Sequence, residues 1–208
     1  MIIAHNQFEV SLWKKGYTNV IGIDEVGRGA WAGPLVVASV MFPVDFTPKF
    51  NIADSKLLSK KRREELSIYI KEVAKDYKII EKSVSQINQE GLGTCIQSGS
   101  LESIKQLKIT PDYVLIDAFL IKNYPTKKQT PIIKGDQQSI SIAAASIIAK
   151  VYRDNLMNSL SDEVIGYSFS KNVGYGTKEH QSAIAKIGMS THHRTSFNLS
   201  KYLTKNVS

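Results

Sequence analysis

Four acidic residues stand beside apolar or glycine-rich runs, where carboxylates are costly unless a cation offsets them. Asp24 and Glu25 follow Val20, Ile21 and Ile23 within the stretch Gly22-Ile-Asp-Glu-Val-Gly-Arg-Gly29. Asp117 ends the run Tyr113-Val-Leu-Ile-Asp117, and Asp136 ends Ile132-Ile-Lys-Gly-Asp136. A hard divalent cation offsets such charge, because Mg²⁺ is bound through one or two carboxylates together with phosphate oxygens. The 208-residue chain is otherwise basic, with 27 Lys and Arg against 19 Asp and Glu and a net charge of +8. That balance favours a polyanionic partner. Acids gathered in motifs within a basic chain suggest a metal centre inside a phosphate-attracting surface. Each acid also has a plainer reading. The Asp24-Glu25 pair fits a solvated strand end, Asp117 a loop aspartate, and Asp136 an acid favoured by a helix dipole at about 0.3–1 kcal/mol.

Other chemistries find less support. His5, His180, His192 and His193 with Cys95 show no zinc spacing such as H-E-x-x-H. No serine or cysteine has the surroundings of a nucleophile, and Cys95 reads as a small buried residue. Gly27, Gly29 and Gly33 imitate a dinucleotide-binding loop, which must open a helix. Here Pro34 leads instead into Leu35-Val-Val-Ala-Ser-Val-Met-Phe42, a β-like run, so strand, glycine turn, strand is the better parse. A single cysteine makes no internal disulfide and fits a reducing cytoplasm. No apolar run approaches the ~20 residues of a membrane span. Met1 to Gln7 lacks the basic leader and long apolar segment of a secretory signal.

The elements that must position the acids follow from composition and period. At 42% hydrophobic, with no linker, repeat or low-complexity tract, the chain reads as one α/β domain over 1–208. Strands are expected at 20–26, 34–42, 77–84 and 113–117. Ser59 is a plausible cap for a helix from about Lys60 to Asp76, with Leu66, Ile70, Val73 and Ala74 as its apolar stripe. Residues 85–107 read as helix broken near Gly91-Leu-Gly93, and Lys122 to Thr130 as an exposed polar loop. Ser139 starts a helix over 140–154 whose first half is apolar on nearly every side and therefore buried. Its alanines 143–145 permit close approach to a sheet. Ser146 and Lys150, four residues apart, share a face that either contacts phosphate or simply leads to solvent. Thr177 caps a helix over Lys178–Ile187. One tension is local: neighbours on a strand point to opposite faces. Asp24 and Glu25 therefore address one site only if the strand ends or bulges, or if the longer glutamate reaches round.

The stretch 22–29, followed by Ala32-Gly33-Pro34, resembles the signature of the type 2 ribonucleases H, specifically the ribonuclease HII family. The resemblance continues in order through Asp54-Ser-Lys56, Leu115-Ile-Asp-Ala118, Lys134-Gly-Asp136, the segment 139–154, Gly174-Tyr-Gly-Thr-Lys-Glu-His180 and His193-Arg-Thr-Ser-Phe197. It implies a ribonuclease H-like mixed sheet flanked by helices, with a small helical C-terminal substrate-binding region at about 165–208. It implies an active site of Asp24, Glu25, Asp117 and Asp136, the first three binding two Mg²⁺ or Mn²⁺ ions most directly. Gly27, Arg28 and Gly29 would read the 2′-hydroxyl of a ribonucleotide, and Tyr175 would stack on the next deoxynucleotide. Lys56, Ser146 and Lys150 join the expected substrate contacts. The implied activity is cleavage of RNA in RNA–DNA hybrids and incision 5′ of single ribonucleotides in duplex DNA, by a cytoplasmic monomer. Ala30-Trp31 stands where proline-leucine is usual, and Ala118 where glycine is usual. Ribonuclease HIII is the nearest alternative, although only about 20 residues precede the first motif. A non-catalytic hybrid-binding module is a second alternative, opposed by the presence of all four acids.

Overall fold

The computed structural model describes residues 4–52, 55 and 58–203. Five strands, β1 (Val20–Val26), β2 (Leu35–Met41), β3 (Asp76–Lys82), β4 (Tyr113–Asp117) and β5 (Gln129–Ile132), form one mixed sheet in the order β3-β2-β1-β4-β5. The first three run antiparallel, and β4 and β5 lie parallel to β1. Seven helices surround the sheet: α1 (Gln7–Trp13), α2 (Lys60–Val73), α3 (Val84–Glu90), α4 (Leu92–Lys105), α5 (Ile140–Glu163), α6 (Phe169–Asn172) and α7 (Lys178–Ile187).

The period-2 alternation of β2 sorts the core into two layers. Val36, Ala38 and Val40 pack with Leu66 and Ile70 of α2 and with the apolar half of α5. Leu35, Val37 and Met41 pack on the other face with Ile87 of α3 and with Cys95 and Ile104 of α4. Being buried on both faces explains why β2 reads as an unbroken apolar run. The same alternation places Gly22, Asp24 and Val26 of β1 toward α5, and Ile21 and Ile23 toward α4.

Close approach of α5 to β1 depends on Gly22 as well as on the alanines. A Cβ there would overlap the Ser141 carbonyl carbon and the Ile142 nitrogen. The start of α5 is fixed by Ser139, whose Oγ accepts the Ile142 amide, and by buried Glu9, whose Oε1 accepts from Ser139 Oγ at 2.6 Å and the Ser141 amide at 3.0 Å. Burial raises the Glu9 carboxyl above its ordinary range.

Several boundaries depart from the sequence reading. The expected loop at 122–130 ends in β5, because the Gln129 side chain bonds the main chain of Ile121 and Tyr124 and folds the preceding turn against the sheet. Helix α2 stops at Val73, and the chain enters β3 at Asp76, whose carboxylate accepts the Lys108 and Ile109 amides. Helix α5 continues nine residues past 154 to Glu163. Arg153, read as part of a polar helix end, is fully buried. Helix α1 had not been anticipated; its Leu12 and Trp13 pack on Val20, Leu115 and Ile142. The break at Gly91 and the caps Ser59 and Thr177 occur as expected.

The C-terminal segments gather around Ala32, Met157, Tyr167, Phe169, Ile184 and Leu199. Two buried histidines link them, with His180 Nε2 and His193 Nε2 3.0 Å apart. His193 Nδ1 accepts the Ser190 amide, so its Nε2 carries the hydrogen and donates to His180. His180 Nδ1 then donates to the Tyr175 carbonyl at 3.0 Å. This directional chain needs both rings neutral, and burial lowers both, His193 to about 4.

Two outcomes are expected. Gly22→Ala should lose about 1–3 kcal/mol in denaturant unfolding, since backbone lies where the methyl must go. A depressed histidine pKa adds stability above its unfolded value near 6.5, and that stability is lost as pH falls toward about 4. Thermal melts from pH 7.5 to 4 should therefore show wild type weakening across that window, with a shallower slope in His193→Gln.

Candidate active site

The parallel register of β1 on β4 brings the first two acidic motifs together. Pairing ends with Ile23 opposite Ile116, so Asp24 and Asp117 follow as the next residues on neighbouring strands. The turn after β5 supplies the third motif: the Gly135 amide donates to Asp117 Oδ1 at 2.7 Å, and Asp136 is buried in a 3₁₀ turn at Gly135–Gln137. Since Ser139 is the cap of α5, Asp136 is not needed in that role.

Asp24, Glu25, Asp117 and Asp136 line one cleft of about 490 Å³, together with Val26, Gly27, Arg28, Gly29, Ser55, Ser146, Lys150 and Tyr175. Every expected site residue within the described structure is there; Lys56 and Asp54 lie outside the described residues. Strand β1 neither ends nor bulges at Glu25, because its pairing with β2 continues through Glu25–Val37 and Val26–Val36. The longer side chain reaches round from the opposite face, and Glu25 Oε1 lies 3.8 Å from Arg28 Nη1.

Asp24 is the electrostatic centre of the cleft. Burial, then the charges of Glu25 and Asp117, hold its carboxyl well above the usual range, while hydrogen bonds from Ser146 and the Glu25 amide oppose the shift. Ser146 also shares a 3.0 Å hydrogen bond with Ser55, a lining residue from the Asp54-Ser-Lys56 element that was not itself expected in the site. Lys150 reaches the cleft with its ammonium paired to Asp154 at 2.6 Å, and burial lowers its pKa. The donors facing the cleft are carboxylate and hydroxyl oxygens, a hard set suited to Mg²⁺ or Mn²⁺. Among the described residues no group of three or more His, Cys, Asp and Glu side chains stands in an arrangement that could hold a metal ion. A Mg²⁺ or Mn²⁺ ion bound by these acids would draw waters or phosphate oxygens into its remaining positions.

Two buried arginines, neither picked out as site residues from sequence, hold the walls. Arg194 donates to the carbonyls of Gly27 (2.6 Å), Arg28 (3.3 Å), Gly33 (2.9 Å) and Pro34 (3.0 Å). Arg153 donates to those of Ala32, Pro34 and Val173, and its guanidinium lies 5.6 Å from the Tyr175 ring centroid. Gly27, at φ 95°, has no room for a Cβ beside Arg153. The two departures from the family pattern fall outside the cleft lining. Trp31 packs against Gly176, His180 and Tyr202. Ala118 adopts φ 63°, a left-handed conformation that costs an L-residue about 1–2 kcal/mol.

Comparison with known proteins bears on the family and the fold. A relative from Clostridium botulinum (strain Loch Maree / Type A3), a ribonuclease HII, is 46% identical over 181 residues, covering 86% of this chain and 67% of the relative. The ribonuclease H2 of Pyrococcus horikoshii OT3 shares the fold, with a TM-score of 0.73 at 20% identity over 88% of this chain and 95% of that one. Bst-RNase HIII, solved in complex with Mn²⁺, shares it with a TM-score of 0.69 at 20% identity over 95% of this chain and 73% of that one. The family model described as Ribonuclease HII matches residues 21–200, from the first strand to the C-terminal segments, and the chain belongs to the ribonuclease HII family.

Proposed function

We propose that this chain is a metal-dependent endoribonuclease that hydrolyses the RNA strand of RNA–DNA hybrids and incises 5′ of single ribonucleotides embedded in duplex DNA. It would leave 3′-hydroxyl and 5′-phosphate ends. The observation that carries this reading is the convergence of Asp24, Glu25, Asp117 and Asp136 with the Gly27–Gly29 turn and Tyr175 on one cleft. In this reading Asp24, Glu25 and Asp117 hold two Mg²⁺ or Mn²⁺ ions, and Asp136 completes the acidic wall. The Mn²⁺ complex of Bst-RNase HIII supports a divalent ion. Such ions supply Lewis-acid stabilisation of the leaving oxygen and an activated water.

The chain's own residues do the rest. Main-chain groups of Gly27–Gly29, held by Arg194, approach the 2′-hydroxyl that separates RNA from DNA. Tyr175, lying near Gly29, stacks on the neighbouring sugar. Ser146 holds Asp24 by hydrogen bonding. The segments from about 165 onward serve as the substrate-binding region of a single domain acting as a cytoplasmic monomer. Among the described residues, no helix is long and apolar enough to cross a membrane.

Incubating the protein with a duplex bearing one ribonucleotide, with and without chelator, and reading the cut position tests the proposal directly; absence of a metal-dependent cut at the ribonucleotide removes it. Asp24→Asn should abolish cleavage while duplex binding persists. Because the folded Asp24 pKa is raised, its ionised form weakens the metal-free protein as pH rises above the ordinary aspartate range. Asp24→Asn should therefore melt higher than wild type at pH 7 in EDTA. Tyr175→Ala should lose about tenfold or more on the single-ribonucleotide duplex, in line with one lost stack, and less on a long hybrid. Equal losses on both substrates would remove the stacking role.

A further inference from the structure

Beyond Asp117, the acid that ends β4, the chain makes an unusual exit. Ala118 turns left-handed at φ 63°, the Phe119 amide donates to the Asp117 carbonyl at 2.8 Å, and the Phe119 ring emerges 49% exposed. Arg28, which lines the cleft, lays its guanidinium over that ring, 5.0 Å from the centroid. Leu120 stands 44% exposed beside it in sequence. The neighbouring strand ends in the same place, since Ile132 pairs with Asp117 and its carbonyl accepts the Ala118 amide. The next residue, Ile133, is 76% exposed. Lys122 and Lys134 are exposed on the same two segments.

An apolar ledge is thus set on a strained turn two residues from a cleft acid, with cations around it. Isolated exposed apolar residues are ordinary on protein surfaces, but three on adjoining strand ends beside a polar cleft mark a contact surface. The surrounding charge selects the partner. Arg28, Lys122 and Lys134 favour a phosphate-bearing ligand, and an aromatic ring offers it the stacking that every nucleotide can accept. Position adds a second constraint: Tyr175 lies near Gly29, while Phe119 lies against Arg28. Each ring is thus tied to a residue of the glycine turn.

We propose that Phe119, with Leu120 and Ile133, is a second stacking platform that packs on the apolar face of a nucleotide flanking the ribonucleotide. The proposal rests on the nuclease reading of the cleft and adds to it a residue that governs substrate affinity. The Phe119 ring acts on binding, with Arg28 as the cation that lies over it.

The test measures binding and turnover separately. Fluorescence anisotropy with a labelled duplex carrying one ribonucleotide, in EDTA, compares wild type with Phe119→Ala and Phe119→Tyr. Phe119→Ala should raise Kd about tenfold, Phe119→Tyr should restore it, and the slope of log Kd against log salt should stay at the wild-type value, because a stack releases no counterions. In Mg²⁺, Phe119→Ala should raise KM and leave kcat unchanged. A Kd within twofold of wild type, a loss that Phe119→Tyr fails to restore, or a fall in kcat at unchanged KM would overturn the platform. Wild-type cleavage is read in parallel. If wild type binds but never cuts, the nuclease assignment fails while the anisotropy series still decides the ledge; if wild type cuts and Phe119→Ala binds normally, the ledge alone fails.

Discussion

Burial of a carboxylate beside two others is the constraint on which the cleft depends. Parallel pairing of β1 with β4 sets Asp24 and Asp117 side by side at the strand ends, and Glu25 comes round from the other face. Asp24 is buried among these charges, and its carboxyl is driven far from its ordinary range. Nothing in the packing requires acids there, because Val26 and Ile23 show that apolar side chains fit the same strand. The cluster is instead a stored demand for positive charge. A divalent ion would satisfy it, and so would a proton in the ion's absence. The surrounding structure holds the acids in place while that demand is unmet.

Holding is the work of groups that add no negative charge. Ser146 and the Glu25 amide steady Asp24, and the Gly135 amide steadies Asp117. Arg153 and Arg194 sit behind the opposite wall and direct their donors to main-chain carbonyls of residues 27, 28, 32–34 and 173. Those carbonyls belong to a glycine- and proline-rich stretch without regular strand partners of its own. Buried carbonyls need donors, and a guanidinium supplies five in a fixed fork. The geometry of the Gly27–Gly29 turn is thereby set by two cations whose side chains never enter the cleft.

How much of this could be read from the chain differs by element. Strands β1, β2 and β4 were legible because burial on both faces leaves unbroken apolar runs, and Ser59, Gly91 and Thr177 announced helix ends through ordinary cap and turn chemistry. Strand β5 was hidden because Gln129 and Thr130 look like loop residues until the Gln129 amide is seen tying down the turn at 121–124. Arg153 was misjudged because a cation on a helix gives no sign of whether it meets water or a cage of carbonyls. The four acids were visible as residues out of keeping with their neighbours. Their convergence was not, since it depends on a parallel register between segments about 90 residues apart. Family resemblance supplied that link, and Ala118, noted as a departure from it, adopts a left-handed conformation that glycine holds at less cost.

The bond from Arg194 to the Gly27 carbonyl joins residues 167 positions apart in the chain. During synthesis the acids of β1 leave the ribosome early, and β4 and α5 can assemble the sheet around them well before residue 194 is made. The carbonyls of Gly27 and Arg28 have no guanidinium donor until then. A nascent chain therefore holds Asp136, the last acid of the cleft, before it holds the side chain that grips the turn. A single guanidinium from a distant segment thus sets the turn by tertiary packing and not by local sequence.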